Sequence, residues 1–281
     1  MNPVSNPDMD QATGYKSLLE ALRRSGPIAV AFSGGVDSTL LLKAALDALG
    51  PDKVLAITAV SPFFPAWEQE DSQGLARQLG ARQVLVSCDL LTLPEVVQNA
   101  PDRCYHCKKA LFGLCAETAK QHGFYLMLDG TNRDDGKDYR PGHRAALELG
   151  VRSPLAEAGL SKQAIRDLSR HLDLPTWNRP AYACLASRIP YGTPIDAGAL
   201  QQVERCESIL RALGFNGARA RHHGTTVRIE IPPELFPRIL GETTRLDIIG
   251  HAKAAGFTYV CLDLEGYRTG SLNETLPEAT D

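Results

Sequence analysis

The sequence predicts an α/β protein: a parallel sheet with helices on both faces, followed by a smaller α+β domain. Three observations carry that expectation. Four short apolar runs alternate with segments of helical spacing in the first part of the chain. The first run leads into a glycine loop, Ser33-Gly-Gly-Val-Asp-Ser38, that opens a helix. Beyond the proline-punctuated stretch from Pro180 to Gly192 the pattern changes to an amphipathic helix, a hairpin and further helix.

Taken in order, residues 1–13 are polar and read as a flexible lead-in. Ile28 to Phe32 is the first strand and Ser38 to Leu49 the first helix of the sheet domain. Val54 to Val60 is the second strand, and Glu68 to Leu79 is helical. Val84 to Cys88, a helix from Leu111 to His122 and a strand from Phe124 to Leu128 complete the alternation. Ser161 is placed to cap a helix over Lys162 to His171, with Pro175 beyond its end. Residues 14–175 therefore form one domain, and 176–195 a connection that carries Cys184. Residues 196–281 form the second domain, with a helix from Ala199 to Leu213 and a hairpin around Gly224-Thr225. Its remainder is a helical stretch from Leu235 to Ala255, broken near Gly241, and a last strand from Tyr259 to Leu264.

The chain has 281 residues, long for one core, and 43% hydrophobic with 22% charged residues describes an ordinary globular protein. Thirty basic against 33 acidic residues give a formal charge of −3, with no global pull towards nucleic acid. No apolar run is long enough to span a bilayer, and the N-terminus is too polar for a secretory signal. Seven cysteines in such a chain indicate a reducing, cytoplasmic location without a disulfide framework.

The glycine loop has the form of an anion site. Gly34 and Gly35 let a ligand approach the backbone, and N–H groups at a helix start point at it. Ser33 and Ser38 add hydroxyl donors, while Asp37 is suited either to holding Mg²⁺ or to orienting the loop. The lysine of the kinase and GTPase loop is missing. After the fourth strand, Leu128-Asp-Gly-Thr-Asn-Arg-Asp-Asp135 lies where an open α/β sheet places ligands, so Gly130 belongs with this site. Asp129, Asn132, Asp134 and Asp135 are suited to Mg²⁺ or to shaping the pocket. Lys162 and Arg166 are suited to supplying cations near phosphates.

Cys104 and Cys107 form a C-x-x-C, which by itself admits a redox pair, half a zinc site or iron–sulfur ligation. With Cys184 the thiols number three, which suits a [4Fe–4S] cluster with one iron left open. Arg103, Lys108, Lys109 and Arg188 are cationic neighbours in sequence. Cys88, Cys115, Cys206 and Cys261 read as buried packing residues. In the second domain Arg219 and Arg221 are two apart on a strand, so their guanidiniums share a face, suiting a phosphate or carboxylate clamp. With His222, His223 and Arg228 nearby, an RNA-contacting patch is the rival reading. Glu207 and Glu230 are suited to pairing with these arginines or to binding a cation.

The SGGxDS loop in its strand–loop–helix setting resembles the PP-loop of ATP pyrophosphatases, which cleave ATP between the α- and β-phosphates. The chain as a whole resembles the ATP-dependent sacrificial sulfur transferases of the LarE family. The resemblance rests on AFSGGVDSTLLLKAA, RCYHCKKALF, DGTNRDDGKDYRPG, VRSPLAEAGLSK, ACLASRIPYG and DLEGYRTGSLNE. It implies ATP-driven adenylation of a carboxylate of pyridinium-3,5-biscarboxylic acid mononucleotide, and then replacement of AMP by sulfur. That reaction belongs to the assembly of the nickel-pincer nucleotide of lactate racemase. It further implies Arg219, Arg221 and Arg188 on the substrate, Glu207 and Glu230 at a cation site, and a homo-oligomer. Single-cysteine members take sulfur from the residue matching Cys184, leaving dehydroalanine. The added Cys104 and Cys107 match a three-cysteine type that carries a [4Fe–4S] cluster, in which Cys184 is a ligand and survives. A PP-loop tRNA thiolase would need a strongly basic surface. A non-catalytic nucleotide-binding module would not explain the cysteines, and a zinc-stabilised interaction protein would hold zinc without iron.

Overall fold

Alternate residues of the first strands are buried on opposite sides, and this places helices on both faces of the sheet. The computed structural model describes residues 7–137, 141–180, 183–268 and 270–275. Helix α1 (Pro7–Ser25) precedes β1 (Ile28–Ala31), α2 (Val36–Leu49), β2 (Val54–Val60), α3 (Ala66–Gln78) and β3 (Arg82–Ser87). Then come α4 (Arg103–Gln121), β4 (Leu126–Leu128), α5 (Pro141–Glu148) and α6 (Lys162–His171). The four strands are parallel in the order β3-β2-β1-β4. Ile28, Val30, Val54 and Ala56 share a core with residues of α1, α2, α3 and α6, among them Leu18, Leu41, Leu75 and Ile165. Ala29, Leu55, Ile57 and Met127 face the other way, onto Cys115 and Ala119 of α4 and Ala146 of α5. The expected fold class holds.

Strand β1 lies between β2 and β4, so the connections leave it in opposite directions. The carboxyl end of β1, beside that of β4, is therefore the switch point at which open α/β sheets bind ligands.

The chain divides into two units. The first consists of the chain up to Ser61 with Ala66–Cys88 and Cys104–Arg179. The second takes Pro62–Pro65, Asp89–Arg103 and the chain from Pro180 onward. It contains α7 (Ala197–Ala212), β5 (Arg219–His223), β6 (Thr226–Glu230), α8 (Glu242–Ala254) and β7 (Tyr259–Leu262). Its sheet runs β5-β6-β7, with β5 antiparallel and β7 parallel to β6. Ala220, Val227 and Ile229 turn inward onto Cys206, Leu210 and Ile248.

Several boundaries differ from expectation. Residues 7–13 are helical, the polar first turns of a helix that Leu18 and Leu22 anchor in the core. The connection is divided: residues up to Arg179 belong to the first unit and Pro180 onward to the second. Residues 62–65 and 89–103 join that second unit too, from far upstream in the sequence. Helix α4 starts at Arg103 rather than Leu111, which puts the C-x-x-C on its first turn. Residues 1–6, 138–140, 181–182, 269 and 276–281 of the segments discussed above lie outside the described residues.

Candidate functional site

The glycine loop is a turn whose hydroxyls bond to one another. Ser33 Oγ lies 3.1 Å from Ser38 Oγ, Gly35 N donates to Ser33 Oγ at 3.3 Å, and Ser38 Oγ donates to the Gly35 carbonyl at 3.2 Å. Gly34 has φ +73° and lies against Ser72 of α3, where an added Cβ would come within 3.3 Å of the Ser72 Cα. Only glycine meets both conditions without strain. Gly35 then enters α2 in extended conformation with no side-chain cap of its own. The helix start therefore keeps donors for an anion.

The loop after β4 closes against the same helix start. A Cβ on Gly130 would fall 2.9 Å from Ser38 N, so this glycine permits backbone-to-backbone approach. Asn132 Nδ2 donates to Asp37 Oδ1 at 3.2 Å, and Lys162 Nζ forms an ion pair with Asp37 Oδ2. Both partners of that pair are partly open to solvent, with 33% of the Lys162 and 21% of the Asp37 side chain exposed. Lys162 N in turn donates to Asp134 Oδ2 at 2.8 Å. A cation and a carboxylate thus meet at the glycine loop, and each is tied to the loop after β4.

The other acidic residues here shape the loop. Asp129 is buried and accepts from Thr131 N, Thr131 Oγ1 and Ser153 Oγ at 2.7–3.1 Å. Asp135 Oδ2 accepts from Asn132 N at 3.0 Å. Arg166 donates to the Trp177 and Arg179 carbonyls at 2.8 and 2.9 Å instead of reaching for the loop. Through it Arg179 is positioned, and Arg179 donates to the Gly34 carbonyl at 3.0 Å and to Asp71 at 2.8 Å. Sequence reasoning missed Arg179, because only its contact with a turn formed far upstream reveals it.

Cys104 and Cys107 are three apart at the start of α4, hence on one helix face, and both are partly exposed and in no disulfide. Cys184 is a third partly exposed cysteine outside any disulfide, in the second unit, at the entry to a short 3₁₀ turn over Leu185–Arg188. Cys115 and Cys206 are buried as expected, and burial pushes each thiol up to about 12. Cys88 is only partly buried and Cys261 is exposed, on the polar face of the second sheet. Among the described residues no three His, Cys, Asp or Glu side chains gather as a metal site.

The loop around Cys184 is held by buried arginines. Arg188 is 1% exposed and is the largest fully buried side chain among the described residues. Its Nη1 donates to the Ala183 and Cys184 carbonyls at 2.8 and 3.2 Å. Its Nε and Nη2 form a two-pronged pair with Glu207 at 2.7 and 2.8 Å. Glu207 Oε1 also accepts from Ala220 N at 3.0 Å, which fixes the pair to β5. Arg221 donates to the Ser187 carbonyl at 2.7 Å and makes a second two-pronged pair, with the wholly buried Glu230, at 3.0 and 2.8 Å. Arg228 also reaches Glu230, at 3.1 Å.

Strand alternation puts Arg219 and Arg221 on one face, as expected, with Ala220 in the core between them. Arg219 is buried, lies 5.1 Å from the Tyr267 ring centroid, and donates to the Gly217 and Ala218 carbonyls. Burial and the nearby Arg188 lower its pKa. The two glutamates therefore stand in ion pairs with Arg188 and Arg221. His222 turns to Phe257 and Gln202, and burial lowers its pKa.

No family model matches the chain. It is 44% identical over 247 residues to an uncharacterized protein of Synechocystis, a match covering 88% of this chain and 92% of that one. It is 40% identical over 268 residues to pyridinium-3,5-bisthiocarboxylic acid mononucleotide synthase of Lactiplantibacillus plantarum, covering 95% and 96%. A shorter stretch of 79 residues is 37% identical to an NH₃-dependent NAD⁺ synthetase of Hyperthermus butylicus, covering 27% and 29%.

Proposed function

This chain belongs to the pyridinium-3,5-bisthiocarboxylic acid mononucleotide synthase family, and from that premise we propose that it thiolates a carboxylate of a pyridinium mononucleotide at the expense of ATP. The observation that supports this reading most is the phosphate loop at the sheet switch point, with Asp37 and Lys162 paired beside it.

Ser33 to Ser38 would hold the ATP phosphates on backbone N–H groups, with Gly34, Gly35 and Gly130 giving the clearance. Asp37 would take Mg²⁺, freeing Lys162 to neutralise the phosphate oxygens. A carboxylate is a poor electrophile. Its oxygen attacks the α-phosphorus, the bond to the β-phosphate oxygen breaks, and pyrophosphate leaves with the charge. The resulting acyl adenylate has AMP as a good leaving group, and a sulfur nucleophile attacks its acyl carbon. Arg219 and Arg221 would meet the substrate phosphate on the polar face of the second sheet, with Arg188 behind them. Glu207 and Glu230 would be open to a cation only on release from their arginines.

We propose that Cys104, Cys107 and Cys184 would hold a [4Fe–4S] cluster, which would supply the sulfide that replaces AMP. The partly exposed thiol pair on α4 fits two of its positions. A second reading rests on Cys184 alone, a partly exposed thiol at the entry to a short 3₁₀ turn. In it the Cys184 thiolate attacks the adenylate, the Cα proton is lost, and the Cβ–S bond breaks to leave dehydroalanine.

One experiment tests both. Protein purified without oxygen is analysed for iron and sulfide, given one turnover with pyridinium-3,5-biscarboxylic acid mononucleotide and MgATP, and then weighed by peptide mass at Cys184. AMP, pyrophosphate and thiocarboxylate in equal amounts are expected, with Cys184 intact and iron present. Dehydroalanine without iron would establish the second reading. Absence of both AMP and thiocarboxylate would remove sulfur transfer altogether.

A further inference from the structure

The Cys184 loop is gripped from a second direction by residues to which nothing above gives a role. The segment Asp89–Arg103 belongs to the second unit. In it Asn99 is fully buried with φ +55°, a left-handed conformation that asparagine tolerates better than most residues. Its Nδ2 donates to the Pro190 and Thr193 carbonyls at 2.8 and 2.9 Å, with a longer bond to Ile189. Its own carbonyl accepts from Gly192 N at 3.0 Å, and the Val97 carbonyl accepts from Ile195 N at 2.9 Å. Arg103, 2% exposed, bonds the Asn99 Oδ1 and donates to the Ala186 carbonyl at 3.1 Å. Its guanidinium also lies 5.7 Å from the Tyr191 ring centroid.

Four carbonyls of the loop, those of Ala183, Cys184, Ala186 and Ser187, thus each accept from a buried guanidinium: Arg188 twice, then Arg103, then Arg221. Arginine forks ordinarily meet carboxylates or phosphates. Buried guanidiniums on these backbone oxygens fix the direction of the intervening peptides, because each lost bond leaves a buried N–H without its acceptor.

We infer that Asn99 and Arg103 form a positioning pair that sets the Cys184 loop for sulfur transfer. The inference rests on the sulfur-transfer reading above. The pair touches no reacting atom. It holds residues 186–193 so that the Cys184 side chain presents in one direction, and Arg103 is joined covalently to Cys104 of the C-x-x-C. Sulfur transfer therefore depends on the pair, whereas adenylation at the first unit's loop does not.

The test uses the full chain with Arg103→Lys, Arg103→Gln and Asn99→Gly. The glycine keeps the positive φ while deleting only the amide. Pyrophosphate release with substrate and MgATP should stay within about twofold of the parent, while thiocarboxylate formation falls about tenfold or more in Arg103→Gln and Asn99→Gly. Arg103→Lys should fall between. Hydrogen exchange at Gly192 and Ile195 should quicken, and alkylation of Cys184 by iodoacetamide should change rate while that of exposed Cys261 does not. Equal loss of both half-reactions, or unchanged transfer in Arg103→Gln, would overturn the inference. Should the parent itself release no pyrophosphate, the sulfur-transfer reading falls. Unchanged exchange and alkylation would then overturn the positioning role independently.

Discussion

The two loops to which the proposed function gives the chemistry are built in opposite ways. The glycine loop is held open. Glycines remove side chains, small hydroxyls bond to one another, and the charged pair beside it is partly solvated. The cysteine loop is held shut, with buried guanidiniums on its carbonyls and glutamates behind two of them. The difference matches what each loop must do. On the proposed function a nucleotide enters and leaves the glycine loop, and the loop offers unfilled donors. A thiol on a loop has only to point the right way, so that loop gives up its freedom.

The comparison breaks first at Arg188. Removing it leaves Glu207 with an uncompensated charge, so Arg188→Ala should cost about 3–5 kcal/mol of stability, read by denaturant titration. Arg188→Lys should recover only part, because an ammonium's three donors cannot replace a two-pronged Glu207 pair and two carbonyl bonds together. A silent Arg188→Ala would mean that the cysteine loop is not held by its guanidiniums.

A side chain at Gly130 sharpens the other half. Gly130→Val must displace the backbone at Ser38, and a shift of that kind should lower pyrophosphate release at least about 10²-fold. The measurement is single-turnover release with the melting temperature as control. Activity near the parent's would show that the clearance at Gly130 is not needed. Lys162→Ala should lower the same rate by about 10²-fold while changing stability by less than about 1 kcal/mol, since the Asp37 pair is partly solvated.

The smallest effect concerns the packed thiols. Cys115 and Cys206 have folded pKa values raised from 9.0 to about 12 by burial. Above pH 9 the unfolded chain releases these protons and the folded one keeps them, so the unfolded state gains. Their contribution is fully present below pH 9 and is lost as pH rises from 9 to 12. Cys206→Ala should flatten that decline slightly in a pH series of unfolding curves. An unchanged slope would place its source elsewhere.

The open loop was legible in the sequence and the shut one was not, for a physical reason. Gly34, Gly35, Ser33 and Ser38 act on a turn a few residues long, so their meaning is local. Asn99 acts on carbonyls about ninety residues further along, and no local pattern reports a donor aimed at a distant backbone. Arg188 carried the same ambiguity. In sequence it was a cation beside a cysteine, and only burial shows it paired with Glu207 and turned onto the loop that contains it. Strand positions were readable from apolar runs. The C-x-x-C was not readable as helical, because helix α4 begins with polar and charged residues, and the burial of Arg103 there is not an apolar signal. Cys261 was misplaced because its strand has one apolar and one polar face, and it falls on the latter.

The upstream origin of residues 89–103 has a consequence for how the chain is made. A ribosome releases Asn99 and Arg103 well before the carbonyls they are to hold exist. Until Ala186 and Pro190 emerge, an amide and a guanidinium destined for burial must stay hydrated, so the second unit cannot close during synthesis of the first. A nascent chain stalled after Arg179 should be cut by protease within 89–103, and one released at full length should resist there.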